Sequence, residues 1–269
     1  MANWAPSGGL GGSALTNTAD AHLDRAILSH PAFPRASEYD PLWILQNSMG
    51  MNALWLTEWL TKAVHLGPEM RVLDLGCGKG ISSVFLAKEF GARVWAVDLW
   101  DGPKKTWEHC RSFGVDHLVV PEKGDARNLP LVDGFFDAVL CVDSYIYFGT
   151  DDHFLNYILR FLAPGGTLAV AIPGLMKDFE DGVPQHLKPF WGQDCWCWHR
   201  LEWWEHLWER TGLVDMVEAD TLPDGCALYV RWKEAQDTAG LNPWPQDTAI
   251  LKRDAGEYVG FIRLVARKR

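Results

Sequence analysis

The alternation of apolar and polar stretches along the chain predicts a mixed α/β protein. Short apolar runs predict strands at 71–75, 93–99, 117–121, 136–142 and 167–172. Segments with apolar residues at helical spacing predict helices at 52–65, 81–90, 104–113 and 152–162. Because strands that alternate with helices are typical of βαβ units, the pattern predicts a mostly parallel, doubly wound sheet.

The regular alternation stops after the strand at 167–172. Residues 174–199 are rich in glycine, proline and aromatic side chains. A stretch of this length inside a compact domain is expected to be an ordered insertion, so we predict a lid there. Beyond it we expect a helix ending near Gly212, strands at 213–219 and 257–266, and a helix near 248–255.

The first residues differ in composition from the rest. Residues 1–25 are rich in glycine, alanine and serine and lack the basic start and apolar run of a signal peptide. They are expected to form a flexible tail before a single domain over 26–269. No window approaches the roughly 18 consecutive apolar residues of a membrane helix, so no membrane partner is expected.

Charge and cysteine content narrow the expected partners. A formal net charge of −10 argues against a nucleic-acid partner, because phosphate groups are neutralised by clustered Lys and Arg. The basic run at 266–269 is too short to form such a surface. Six scattered cysteines lack disulfide-scaffold spacing, which favours reduced thiols and a cytoplasmic location. A small-molecule partner is therefore expected.

A glycine-rich turn follows the first strand. Residues 72–80 read Val-Leu-Asp-Leu-Gly-Cys-Gly-Lys-Gly, and glycines there permit positive φ and close approach of a ligand to the backbone. The third glycine follows after one residue, where the dinucleotide fingerprint has two. Asp74 precedes the glycines, where it would repel a pyrophosphate but attract the cationic amino acid end of S-adenosylmethionine.

With the segments that follow it, this turn resembles motif I of class I S-adenosylmethionine-dependent methyltransferases, including the ubiquinone-biosynthesis-like and small-molecule enzymes. The resemblance implies a Rossmann-like, seven-stranded, mostly parallel sheet with one antiparallel strand and a lid insertion. Asp98, at the end of the second strand, is expected to bind both ribose hydroxyls, and Asp125 the adenine amino group. The implied cofactor-binding residues in and after the strands are Asp74, Gly76, Cys77, Gly78, Asp98, Leu99, Asp125, Ala126 and Asp143.

An upstream segment extends the resemblance. Tyr39 and the stretch 46–50, with Ser48, resemble the segment that folds over the cofactor in phosphoethanolamine and sarcosine methyltransferases. Those enzymes often have a Gly pair after the Ser, whereas this chain has Met49-Gly50-Met51. The alternative interpretation is a plain loop and helix cap.

The acceptor side is less well defined by the sequence. Tyr147 and Tyr145 follow the fourth strand and either contact an acceptor or pack. His199 is a candidate general base, as Tyr147 is a candidate catalytic donor. Trp191, Trp196 and Trp198 are candidates to line the pocket.

The Cys195-x-Cys197-x-His199 pattern has the residue types of a metal site. In an extended segment the three side chains would share one face, but consecutive same-face residues lie about 6.6 Å apart. That spacing is wide for one tetrahedral zinc ion, and no fourth ligand is evident. We expect no metal here.

These observations predict an enzyme that transfers a methyl group from S-adenosylmethionine to a small soluble acceptor by in-line displacement, with S-adenosylhomocysteine as product. Three alternatives stay open. They are a cyclopropane-synthase-like lipid enzyme, which the acidic composition disfavours, a non-catalytic S-adenosylmethionine-binding domain, and a dinucleotide oxidoreductase. The acceptor, the methylated element and the oligomeric state are not predicted.

Overall fold

A computed structural model describes residues 23–269. Most of the predicted tail, residues 1–22, lies outside the described residues. The described part begins beside a short 3-10 turn at Arg25–Ile27, where the Asp24 carboxylate accepts from the backbone N–H of Ala26.

Seven strands and eight α-helices make up this part of the chain. The strands are β1 Arg71–Leu75, β2 Arg93–Asp98, β3 Val119–Lys123, β4 Phe136–Val142, β5 Leu162–Leu175, β6 Val214–Thr221 and β7 Val259–Lys268. The helices are α1 Pro41–Asn47, α2 Ala53–Thr61, α3 Ile81–Phe90, α4 Pro103–Ser112, α5 Phe154–Leu159, α6 Leu201–Glu209, α7 Gly225–Thr238 and α8 Gln246–Asp254.

The strands form a single seven-stranded sheet in the order β3-β2-β1-β4-β5-β7-β6. β1 pairs in parallel with β2 and β4, and β2 with β3. β7 runs antiparallel to both of its neighbours, β5 and β6. The predicted sheet, mostly parallel with one antiparallel strand near the C-terminus, is confirmed.

Two apolar layers cover the faces of the sheet. Successive side chains of β1 point to opposite faces, so Val72 packs into one layer and Leu73 into the other. The first layer includes residues of α2, α3 and α7, and the second those of α5 and α6. Helices on both faces leave the carboxyl edge of the strands as the place where loops converge.

Two elements differ from the sequence predictions. The predicted helix at 152–162 is shorter, because β5 already begins at Leu162 and pairs with Phe136. A register shift between Phe136 and Ala138 accommodates the Pro-Gly-Gly turn at 164–166 within this strand. Helix α7 was not predicted at all, although Trp232 lies fully buried on it.

The glycine turn between β1 and α3 is backed by a buried carboxyl group. Oδ2 of Asp74 accepts hydrogen bonds from the hydroxyls of Ser82 and Ser83, at 2.6 and 2.5 Å. Burial raises the pKa of Asp74 to about 6, although both hydroxyls favour the charged form. Asp74 therefore joins the first strand to its helix at an electrostatic cost at neutral pH.

This cost predicts a pH-dependent stability. The folded protein binds the Asp74 proton more tightly than the unfolded chain does, so this carboxyl lowers the free energy of unfolding as pH rises from about 4 to about 6. Asp74→Asn removes that loss. We expect the variant's unfolding free energy, relative to wild type, to rise by about 2–3 kcal/mol between pH 4 and pH 7.5.

Urea unfolding at both pH values measures the difference. The exposed Asp181→Asn is the control and should give the same relative stability at both. If the unfolding free energy of Asp74→Asn relative to wild type is the same at both pH values, the Asp74 carboxyl titrates normally in the folded state.

Candidate functional site

A cavity of about 860 Å³ opens at the carboxyl edge of the parallel strands. It lies where the sheet order changes direction between β1 and β4, which is where open α/β sheets bind their ligands. Its wall is formed by the loops after β1 to β4, by residues 47–53, which we call the strap, and by residues 193–197. The volume is within the range of small-molecule and cofactor sites.

The floor of the cavity is the glycine turn after β1. The backbone N–H groups of Gly76 and Cys77 both donate to the carbonyl of Val97, at 2.8 and 3.1 Å. Gly76 and Gly78 have φ of 73° and 54°, which glycine adopts without strain. A Cβ on Gly76 would lie 2.1 Å from the hydroxyl oxygen of Ser144. The turn thus needs glycine both for its conformation and for its contact with the loop after β4.

Asp98 ends β2 beside this turn and lines the cavity. Its carboxylate accepts from the backbone N–H groups of Gly78 at 2.9 Å, Trp100 at 2.8 Å and Asp101 at 2.9 Å. A carboxylate has about four lone-pair positions, so capacity for a ligand hydroxyl remains. The next residue, Leu99, lines the same wall and is exposed.

The loop after β3 forms the adjoining wall. Asp125 and Ala126 line the cavity, and the Asp125 carboxylate accepts from the backbone N–H of Arg127 at 2.9 Å. The guanidinium of Arg127 donates to the carbonyl of Tyr147, also at 2.9 Å. This contact ties the loop after β3 to the loop after β4.

Asp143 follows β4 and brings a further carboxyl group to the cavity wall. It adopts a left-handed conformation with φ of 61°, held by its backbone N–H donating to the carbonyl of Ala171 at 2.8 Å. Its Oδ2 accepts from the backbone N–H of Met51 at 3.2 Å. Burial raises the pKa of Asp143 to about 7, while the Met51 hydrogen bond favours the charged form. The group is thus poised to exchange a proton near neutral pH.

Tyr147 lies next to Asp143 on a 3-10 turn at Tyr145–Tyr147. Its ring meets that of Trp100 edge-on, with centroids 6.2 Å apart. Burial and the nearby Asp143 charge raise the pKa of the Tyr147 phenol, so it stays a hydrogen-bond donor. Tyr145 is fully buried and packs against Trp204 and other rings of the core, away from the cavity.

The lid contributes side chains to the cavity through one short 3-10 helix, Gln193–Cys197. Gln193, Asp194 and Cys197 line the wall. The thiol of Cys197 donates to the carbonyl of Asp194 at 2.9 Å, and burial raises the pKa of Cys197 to about 11, so the thiol is neutral.

The three tryptophan candidates lie elsewhere. The rings of Trp191 and Trp198 pack on each other edge-on, with centroids 5.8 Å apart. Trp196 is 66% exposed and also contacts Trp191. The lid tryptophans therefore support the lid and do not form the cavity wall.

The structure also places four candidate site residues outside the cavity wall. The Tyr39 hydroxyl donates to Glu89 within the core, at 2.9 Å. The Ser48 hydroxyl accepts from the backbone N–H of Ala53 at the start of α2, whose N-cap is Asn52. His199 stacks on Trp203, with centroids 3.7 Å apart, and burial lowers its pKa.

Asp74, the fourth, reaches no ligand space because its carboxyl faces the serines of α3. Conversely, several residues that line the cavity were not singled out by the sequence analysis. They include Met51, Trp100, Arg127, Gln193, Asp194 and Cys197. Asn47, Met49 and Gly50 also line the wall and belong to the stretch 46–50 that was expected to fold over the cofactor.

The Cys-x-Cys-x-His pattern does not form one face. Cys195 and Cys197 lie on a 3-10 helix, not on an extended strand, and each thiol contacts a different backbone carbonyl. Within residues 23–269, no group of three or more His, Cys, Asp or Glu side chains is arranged to hold a metal ion. Over the same residues, no helix is long and apolar enough to cross a membrane.

Sequence comparison matches residues 73–170 to a methyltransferase domain family. The methyltransferase GfsG of Streptomyces halstedii is 31% identical over 56% of this chain and 53% of its own length. The glycine/sarcosine/dimethylglycine N-methyltransferase of Actinopolyspora halophila is 32% identical over 41% of this chain and 20% of its own. The chain thus spans about half or less of these curated relatives.

A solved structure with the same fold is phosphoethanolamine N-methyltransferase 2 of Haemonchus contortus in complex with S-adenosyl-L-methionine. It superposes with a TM-score of 0.69 at 21% identity, covering 84% of this chain and 55% of that one. The matched residues run from within β1 to within β5 and include the glycine turn, Asp98, Asp125 and Asp143. By its sheet the chain has the fold of this solved methyltransferase, and over residues 73–170 it is similar to the methyltransferase domain family.

Proposed function

We propose that this protein transfers a methyl group from S-adenosylmethionine to a small acceptor, and that Asp143 removes the acceptor's proton. The carrying observation is that one cavity is lined both by a glycine turn with Asp98 and Asp125 near it and by the Asp143 carboxyl group. The glycine turn and these two acidic residues suit a nucleoside with a charged amino acid end. The Asp143 carboxyl group suits an acceptor that loses a proton as it is methylated.

The residues present fit the proposed cofactor. The glycine turn lines the cavity, and beside it Asp98 retains capacity to accept from a ribose hydroxyl. Asp125 and Ala126 lie on the wall where a purine edge would be recognised. When bound, S-adenosylmethionine would supply a methyl group carried on a sulfonium sulfur. After transfer, the sulfur would be part of a neutral thioether.

The protein's own residues then have distinct tasks. Asp143 accepts the proton of an O–H or N–H acceptor, and the proton leaves to solvent after product release. The Tyr147 phenol is neutral near pH 7 and donates a hydrogen bond that orients the acceptor. The lid residues Gln193, Asp194 and Cys197 cover the cavity wall and reduce the access of water, which favours in-line displacement.

Two experiments test the function directly. Calorimetry should show binding of S-adenosylhomocysteine and not of NAD. Incubation with methyl-labelled S-adenosylmethionine and a fractionated metabolite extract should label a small molecule. Binding of S-adenosylhomocysteine without any labelled product from a broad acceptor panel would favour a non-catalytic binding domain.

Asp98→Asn should weaken S-adenosylhomocysteine binding. Losing a charged acceptor of ligand hydroxyl groups corresponds to a decrease in affinity of about 10- to 150-fold. Calorimetric titration measures it. Asp101→Asn is the matched control, because Asp101 is three residues along the same turn and does not line the cavity. Equal affinities of the two variants would remove Asp98 from the proposed site.

Asp143→Asn should reduce methyl transfer by about 100- to 10,000-fold, the usual contribution of a general base. In wild type, kcat/KM should rise with pH through about 7 and level off above it, because only the ionised carboxylate accepts a proton. The rate assay uses an acceptor identified in the extract screen. Asp151→Asn, in the same loop but outside the cavity wall, should retain wild-type rates. A flat pH profile with an active Asp143→Asn would exclude Asp143 as the base.

A further inference from the structure

Helix α7 reaches the cavity through one hydrogen bond. The indole Nε1 of Trp232 donates to the carbonyl oxygen of Gly50 at 2.9 Å, across 182 residues of sequence. Trp232 has no exposed surface, whereas Gly50 is partly exposed on the cavity wall, so the bond links the core to the cavity. A buried indole that has a backbone partner fixes the position of that partner.

The carbonyl that Trp232 binds belongs to the same peptide group as the N–H that binds Asp143. The bond between Gly50 and Met51 carries the Gly50 oxygen at one end and the Met51 N–H at the other. That N–H donates to Oδ2 of Asp143 at 3.2 Å. A trans peptide is rigid and planar, and its C=O and N–H point in opposite directions. The indole and the carboxylate therefore hold opposite ends of one rigid unit.

The contact between strap and carboxylate leaves no room for adjustment. A Cβ on Gly50 would lie 1.9 Å from Oδ2 of Asp143. Asp143 itself is confined by its left-handed backbone. The orientation of the Gly50–Met51 peptide thus determines whether its N–H reaches the carboxylate, and the Trp232 indole fixes that orientation.

We propose that Trp232 is a positioning residue for methyl transfer, which holds the Asp143 carboxylate in place through the Gly50–Met51 peptide. The proposal rests on the proposed function, in which Asp143 accepts the acceptor's proton. An indole donor at the carbonyl also polarises the peptide and strengthens its N–H as a donor. Trp232 thereby favours the ionised carboxylate without touching the acceptor.

The other titratable groups around Asp143 do not mask this effect. Cys141 on β4, Tyr147 on the 3-10 turn and Tyr229 on α7 interact electrostatically with the carboxylate. Burial raises the pKa of each of them, so all three are neutral around pH 7. The Met51 N–H is the hydrogen-bond donor that favours the charged form of Asp143.

Trp232→Phe removes the indole donor and keeps an aromatic ring. Carboxyl ¹³C NMR of protein labelled at aspartate, with the Asp143 resonance assigned by Asp143→Asn, measures the pKa of Asp143 without any acceptor. We expect the pKa to rise by about 0.5–1 in Trp232→Phe, as the Met51 hydrogen bond weakens. With an acceptor in hand, the rise of kcat/KM with pH should move by the same amount.

The matched control is Trp55→Phe. Trp55 is also fully buried and its indole also donates to a backbone carbonyl, that of Leu28 at 3.3 Å, which has no bond to Asp143. Its substitution should leave the Asp143 pKa unchanged. If both variants change this pKa equally, or neither does, Trp232 has only a packing role.

A second measurement needs no substitution of Trp232. In ¹H–¹⁵N spectra of the wild type, one indole resonance should titrate with the midpoint of Asp143 and lose that titration in Asp143→Asn. Absence of such a resonance overturns the proposal even if Trp232→Phe does not fold. Failure of the proposed function is distinguished by Asp143→Asn keeping full methyl transfer while the pKa coupling to Trp232 is present.

Discussion

The carbonyl oxygen of Val97, at the end of β2, holds the glycine turn that follows β1. It accepts from two successive backbone N–H groups, those of Gly76 and Cys77, and the neighbouring Asp98 carboxylate takes the third, from Gly78. A turn with this many exposed donors and positive φ angles is stable only where acceptors are already in place. Because β1 and β2 are parallel, the end of one strand supplies them to the other. The walls of the cavity are assembled around the turn fixed in this way.

The features that sequence analysis predicted depend on the order of neighbouring strands, turns and helices along the chain. A strand, a glycine turn and a helix follow one another at 71–90, Asp98 ends β2, and Asp125 follows β3. In a parallel sheet these positions necessarily meet at one edge, so their proximity follows from the strand–helix alternation. The sheet was predicted for the same reason, and the structure confirms it.

The features that were missed depend on side-chain contacts that hydrophobic periodicity does not show. Helix α7 lacks a clean apolar stripe, because Lys233 is buried on it and pairs with Asp247 of α8 at 3.2 Å. Such a pair is invisible to hydrophobic periodicity. Tyr39 and His199 are chemically suited to a site, but ring stacking holds them elsewhere, Tyr39 on Trp43 and His199 on Trp203. Each partner lies four residues further along the chain, but that spacing alone does not show that the ring packs there and not on a ligand.

The lid leaves the sheet and returns to it at almost the same point. The backbone N–H of Leu175 donates to the carbonyl of His199, so a hydrogen bond closes the base of the segment between them. The entropy of closing a loop grows slowly, by about 0.6 kcal/mol for each doubling of its length. Insertions and deletions within this segment therefore change the free energy of unfolding of the sheet little. The lid side chains that line the cavity, Gln193, Asp194 and Cys197, belong to this replaceable part, whereas the glycine turn and Asp98 belong to the sheet. Selectivity at the lid wall can thus diverge by exchange of one segment while the turn at the sheet edge stays unchanged.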